Sequence, residues 1–232
     1  MNFAVPLVPG RLVRRYKRFL ADVIIDGETE MVTAHCANPG SMLGLAVPGS
    51  RVFVEPSTDP KRKLRWSWRL VEAEGTLVGI DTGHANAIVA EALAAGRIPE
   101  LAGFTSRRAE VAYGTGSRVD FLLEDPGRCF LEVKSVTLSR RPGLAEFPDS
   151  VTARGTKHLQ ELTAEIEKGH RAALLYLVQR GDAAAFAPAA DIDPAYVEAF
   201  QKATARGLLA LCYACTVTPA GITLDRPVPI AD

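Results

Sequence analysis

Arg118-Val-Asp-Phe-Leu-Leu-Glu-Asp-Pro-Gly-Arg-Cys-Phe-Leu-Glu-Val-Lys134 reads as two strands joined by a tight turn, with acids and a lysine inside the strands. Charge in a strand interior needs a polar face to stand on. Side chains alternate along a strand, so Glu132 and Lys134 share one face while Leu131 and Val133 point to the other. Asp120 joins them only in one register, because a one-residue slip reverses every side chain. A three-residue loop Asp125-Pro126-Gly127, with Gly127 in the left-handed conformation, pairs Glu124 with Arg128 and therefore Asp120 with Glu132. A two-residue Pro126-Gly127 loop would turn Asp120 away, and proline before glycine does not suit the primed hairpin turns. The three-residue loop, or a bulge of the same parity, is expected.

Two carboxylates converging beside an ammonium suit a hard divalent cation, Mg²⁺ or Mn²⁺, which keeps its remaining positions for water and phosphate oxygens. Such an ion acidifies a bound water and polarises a phosphodiester. Lys134 would then orient that water or stabilise charge growing on phosphorus. The plain alternative is a surface salt bridge between Glu132 and Lys134, with Asp120 unrelated to it.

The chain's 232 residues suffice for one large domain or two small ones, and 47% hydrophobic with 23% charged residues is an ordinary globular composition. Lys plus Arg and Asp plus Glu stand at 27 each, so any attraction to nucleic acid must come from local patches. The start, Met-Asn-Phe-Ala-Val-Pro-Leu-Val-Pro-Gly, has no basic region and two prolines, unlike a signal peptide, and no apolar run approaches membrane-spanning length. A cytoplasmic protein without membrane contact is expected. Cys36, Cys129, Cys212 and Cys215 are too few and scattered for a disulfide scaffold; Cys212 and Cys215 lack two further zinc ligands and read as buried small hydrophobes.

The first third reads as β structure. Phe19, Ala21, Val23 and Ile25 alternate with polar neighbours, Asp26-Gly27 marks a turn, and residues 31–36, 51–55 and 64–71 supply further strands, a meander suited to a small oligonucleotide-binding (OB) type barrel. Near residue 80 the pattern changes to alternating helices and strands. This divides the chain into a barrel over 1–80 and an α/β domain with a mixed sheet over 81–232. In the second part, Asn86 caps a helix to about Ala95, and 110–113 is a short strand before the hairpin. Leu159, Leu162 and Ile166 mark a helix over 156–168, and 172–178 is a buried strand. A helix over 194–206 and a strand over 208–217 complete the pattern.

Basic residues cluster in three places: Arg11, Arg14, Arg15, Lys17 and Arg18; Lys61, Arg62, Lys63 and Arg65, followed by Trp66, Trp68 and Arg69; and Arg154 with Lys157 and His158. Cations interleaved with aromatic rings suit a groove that tracks a phosphate backbone and stacks bases. The competing reading is solvated charge with both tryptophans packed in the barrel, and His158 as a surface or packed residue.

Phe147-Pro-Asp-Ser-Val-Thr-Ala-Arg-Gly-Thr-Lys-His-Leu-Gln-Glu-Leu162, with residues 117–122, 132–138 and His35-Cys-Ala-Asn38, resembles the sugar fermentation stimulation protein A (SfsA) family over nearly the whole length. The resemblance implies an amino-terminal OB-type barrel joined to a PD-(D/E)xK nuclease-like α/β domain, in a non-specific DNA-binding protein implicated in regulating sugar (maltose) metabolism. It places the acid pair and lysine of that nuclease class on Asp120, Glu132 and Lys134. It further places a possible helix acid on Glu91, making the metal set Asp120, Glu132 and Glu91, with Glu110 a competitor.

Three functions follow as expectations. The first is a DNA-binding regulator on a nuclease scaffold, and the second an active Mg²⁺-dependent nuclease cutting DNA or RNA. The third is a metal-dependent hydrolase of a small phosphorylated metabolite, for which the sequence offers no pocket motif.

Overall fold

The structure is a computed structural model that describes residues 1–231. Six strands come first: β1 (Val8–Tyr16), β2 (Leu20–Ile25), β3 (Met31–Cys36), β4 (Arg51–Pro56), β5 (Trp66–Ala73) and β6 (Thr76–Gly79). Their order is β3-β2-β1-β4-β5-β6, and a parallel pairing of β3 with β5 closes the first five into a barrel. Alternation explains the closure: Leu12, Ala21, Val23, Ala34, Cys36, Val52, Val54 and Trp68 all point inward and are almost fully buried.

Strand β1 escapes a reading by alternation because a bulge between Leu12 and Arg14 breaks the period among three arginines. Phe19 is a second departure. The alternation puts it in the barrel wall with Ala21 and Val23, yet it lies in the β1–β2 turn, 43% exposed. Trp68 packs in the barrel, donating its indole N–H to the Leu70 carbonyl, and Trp66 is half-buried against the same core; stacking on bases is therefore not open to Trp68.

The second part contains α1 (His84–Ala94), β7 (Ser106–Tyr113), β8 (Ser117–Glu124), β9 (Arg128–Val136), β10 (Leu138–Arg141), β11 (Leu144–Phe147), α2 (Ala153–Glu167), β12 (Arg171–Val178), β13 (Ala185–Pro188), α3 (Pro194–Ala205), β14 (Leu209–Thr218) and β15 (Gly221–Pro227). A mixed sheet runs β15-β14-β12-β9-β8-β7, with β9, β12 and β14 parallel and the flanking strands antiparallel. Helices α2 and α3 cover one face, where Leu159, Leu162, Tyr196 and Phe200 meet Leu174 and Tyr176. Helix α1 and part of the barrel cover the other through Ile88, Val89, Leu131, Leu175 and Leu70. Strands β10, β11 and β13 form a small separate sheet that so few residues per strand do not announce in sequence.

Helix α1 begins at His84, two residues before the expected cap, which places Asn86 inside the helix and frees its amide for another task. Helix α2 begins at Ala153 because Thr152 caps it, its hydroxyl accepting from the Gly155 N–H. All four cysteines are buried and unpaired, as small hydrophobes in strands would be. No helix is long and apolar enough to cross a membrane.

Barrel and sheet are bonded to one another. Gly79 donates to the Gln179 carbonyl, and the Gln179 amide donates to Asp81 O and Ser135 Oγ. Arg180, 2% exposed, forks onto Asp182 at 2.6 and 2.7 Å and reaches Glu74 of the β5–β6 turn at 3.0 Å. Truncating this cation leaves acids without their partner. Asp182 and Glu74 keep water contact, so Arg180→Ala should cost about 2 kcal/mol, below the figure for a fully buried pair. A lowered urea midpoint with one cooperative transition for barrel and sheet together checks this.

Candidate metal centre and cleft

The turn between β8 and β9 has the expected parity. Glu124 pairs with Arg128, Gly127 is left-handed at φ +69°, and the ladder runs to Phe121 opposite Leu131. One step further, where Asp120 faces Glu132, pairing stops and a side chain replaces it: Asp120 Oδ2 accepts the Val133 N–H at 2.7 Å. Its other oxygen accepts from Asn86 of α1 at 2.7 Å. Asp120 is thus half-buried at a fork between two strands and lines a cleft together with Lys134.

Glu132 stands on the central strand, 3% exposed. Its Oε1 accepts from Lys134 Nζ at 2.7 Å and is bonded to His158 Nδ1. Arg154 Nε lies 3.3 Å from His158 Nε2 and can only donate, so Nε2 accepts and Nδ1 carries the proton given to Glu132. The second oxygen, Oε2, is buried with no protein partner. Burial alone would push the Glu132 carboxyl up, but the His158 hydrogen bond and the Lys134 charge outweigh it and hold the group below its ordinary value. Asp120 goes the other way: burial and then the Glu132 charge raise it, against the Val133 and Asn86 hydrogen bonds and Lys134.

His158 reads in sequence only as part of a basic set with Arg154 and Lys157, or as a surface or packed residue. It sits four residues before Leu162 on the buried side of α2, and nothing in its spacing announces contact with a strand residue. Asn86 carried no signal beyond its capping propensity.

The structure does not bring Glu91 to this place. Its carboxylate is 61% exposed and pairs with the Met1 ammonium, beside Thr223 and Leu224 of β15, at the far edge of the sheet from β8. The helix spacing turns residue 91 away while Asn86 reaches the fork. Glu110, on β7, is the third acid nearby: Asn86 Nδ2 lies 3.5 Å from its Oε1. Among the described residues no three His, Cys, Asp or Glu side chains form a closed set of ligands. A cation here would rest on two carboxylates and take its other oxygens from backbone, water or substrate.

The cleft, about 460 Å³, lies between the domains. Arg18, Asn38 and Gly40 face it from the barrel, and Asp120, Lys134 and Thr152 from the sheet side. The basic residues singled out in sequence divide sharply. Arg14 is spent on Asp22 and Tyr16. Arg15 is spent on the carbonyls of Arg18, Asn38, Gly40 and Ser41. Lys157 donates to Thr115 O. Lys61, Arg62 and Lys63 occupy the β4–β5 loop outside the cleft lining, and Lys17 and Arg18 are exposed in the β1–β2 turn.

A carboxyl raised in the folded state makes ionised Asp120 a burden. Below its unfolded value the burden is absent, and it is complete once pH exceeds the folded value. In metal-free protein the Tm of Asp120→Asn relative to the parent should therefore climb as pH rises from about 4 to 7, whatever offset the lost hydrogen bond sets. Mg²⁺ or Mn²⁺ should raise the Tm of the unsubstituted protein and leave the variant unmoved, which thermal melts with and without chelator will read.

Residues 13–80 match the family described as SfsA N-terminal OB domain, and residues 83–221 that described as Sugar fermentation stimulation protein RE domain. A sugar fermentation stimulation protein homolog from Ruegeria sp. (strain TM1040) is 56% identical over 232 residues, covering 99% of this chain and 100% of its own. A homolog from Paramagnetospirillum magneticum is 56% identical over 230 residues, covering 98% and 97%. The structure of Pyrococcus furiosus SfsA in complex with Ca²⁺ is similar at a TM-score of 0.90 and 26% identity, over 100% of this chain and 98% of that one. With both halves matched in order and the likeness running end to end, the chain belongs to the sugar fermentation stimulation protein family.

Proposed function

We propose that this protein binds DNA in the cleft between barrel and sheet and hydrolyses phosphodiester bonds there, with a divalent cation held by Asp120 and Glu132. One observation carries the reading: a buried Glu132 oxygen without a protein partner, set beside a second carboxylate that the Glu132 charge disfavours. Burying two acids together is costly unless a cation neutralises them. The all-oxygen donor set fits Mg²⁺ or Mn²⁺, and the Pyrococcus furiosus relative is described with Ca²⁺, another oxygen-seeking ion.

The chain's own residues divide the work. Val133 N–H and Asn86 aim the Asp120 carboxylate, and His158 fixes that of Glu132. Lys134, 2.7 Å from Glu132 Oε1 and on the cleft wall, sets positive charge where a phosphoryl group would gather negative charge. The capped start of α2 at Thr152 opens on the same cleft and favours a phosphate electrostatically. A bound Mg²⁺ or Mn²⁺ supplies Lewis acidity and an acidified water.

A second reading is favoured by the way Lys134 and His158 both close on one Glu132 oxygen, as a purely structural cluster would. In it the protein grips DNA without turnover and acts on sugar metabolism as a regulator. Either reading suits a cytoplasmic protein, with which four unpaired cysteines accord.

Incubation with single- and double-stranded DNA under Mg²⁺, Mn²⁺ or chelator separates the two. Cleavage that needs metal and falls about a hundredfold or more in Glu132→Ala and Lys134→Ala, with binding retained, is the expected result. Binding without cutting in any metal moves the conclusion to the second reading. No binding at low salt overturns both.

A further inference from the structure

The β1–β2 turn sets an exposed ring next in sequence to a cation that lines the cleft. Arg18 lines the cleft although it belongs to the barrel, and Phe19 follows it, 43% exposed and outside the barrel core. Neither Lys17 nor Arg18 forms an ion pair among the described residues, whereas Arg14 in the same run is spent on Asp22. Both Lys17 and Arg18 hold left-handed backbone, at φ +47° and +63°, a conformation that non-glycine residues adopt at a cost.

The turn is braced rather than loose. The Lys17 carbonyl accepts the Phe19 N–H at 2.7 Å, and the Phe19 carbonyl accepts the Cys36 N–H at 2.8 Å. Arg15 ties the Arg18 carbonyl to those of Asn38 and Gly40, in the loop that meets the sheet domain where Met42 N–H donates to Asp149. The backbone of the turn is therefore fixed, with the Arg18 side chain on the cleft lining and the Phe19 ring, the next residue along, exposed to solvent.

We infer that this turn is a clamp for an unpaired nucleic-acid strand: Arg18 takes a phosphate and Phe19 stacks on a base as the strand enters the cleft. The inference rests on the proposed DNA binding and adds to it the choice of single strand over duplex. Two observations select the occupant. A ring next to free cations gives a stacking platform beside backbone contacts, which only an unstacked base can use. The cleft, about 460 Å³, has room for a single nucleotide between the barrel and sheet walls. A duplex would have to fray or give up a nucleotide to bring a phosphate to Lys134.

The test uses full-length protein in chelator, so that cutting does not interfere, with an oligothymidylate of about twenty nucleotides and a blunt duplex of similar length as probes. Phe19 and Arg18 are exposed, so Phe19→Trp, Phe19→Ala and Arg18→Ala should keep the parent Tm. Oligothymidylate should quench Phe19→Trp emission beyond the change seen from the native Trp66 and Trp68. Phe19→Ala should weaken oligothymidylate about tenfold and the blunt duplex less than twofold, and Arg18→Ala should lower the salt slope by about 0.7. Unchanged affinity in Phe19→Ala without added quenching in Phe19→Trp overturns the clamp, as does equal loss on both probes; metal-dependent cleavage would then still stand on its own assay. If the parent protein binds neither probe, the clamp and the proposed function fall together.

Discussion

The register of the β8–β9 hairpin governs the parity of the whole sheet side of the molecule. Because Glu124 faces Arg128, the odd residues of β9 pack under α1 while Phe130, Glu132, Lys134 and Val136 turn toward α2. Strand β12 then follows β9 residue for residue in parallel, from Arg171 beside Cys129 to Val178 beside Val136, so the same parity passes to the centre of the core. A slip by one would put an acid and an ammonium among Ile88, Val89 and Leu175 and expose Leu131 to the polar fork.

That constraint is also what makes the site expensive. A central strand buried on both faces ordinarily carries apolar residues throughout, and Glu132 interrupts that rule with a carboxylate only half satisfied. His158 and Lys134 offset part of the cost through one oxygen, and Asp120 is steadied by a backbone N–H that the ladder has released. The remaining Glu132 oxygen, Oε2, has no protein partner. A chain selected for stability alone would place a leucine at 132 and continue the ladder through 120.

How far the sequence could be read follows from the range of each interaction. Barrel strands β2 to β5, the hairpin parity, α2 and β12 rest on alternation or turn chemistry within a few residues, and all were legible. What escaped depends on contacts between distant segments. Asn86 reads as a helix cap until α1 is laid across β8, Glu91 stands as a ligand by resemblance alone until its carboxylate is seen beside β15, and His158 reads as a basic or packed residue until α2 lies on β9. The arginines show the same limit. Composition marks Arg14 and Arg15 as cations for a ligand, but a guanidinium serves carbonyls and carboxylates equally well, and only the fold tells which it meets. Phe19 was misplaced because a period of two cannot signal where a strand ends and a turn begins.

The bonds joining barrel to sheet bear on how the cleft works. Gly79, Asp81 and Glu74 on one side are held by Gln179 and Arg180 on the other, and Met42 meets Asp149 across the opposite rim. Two halves stapled at both margins do not open like a jaw. The spacing between Arg18 on the barrel wall and Lys134 on the sheet wall is therefore set by the fold before any ligand arrives.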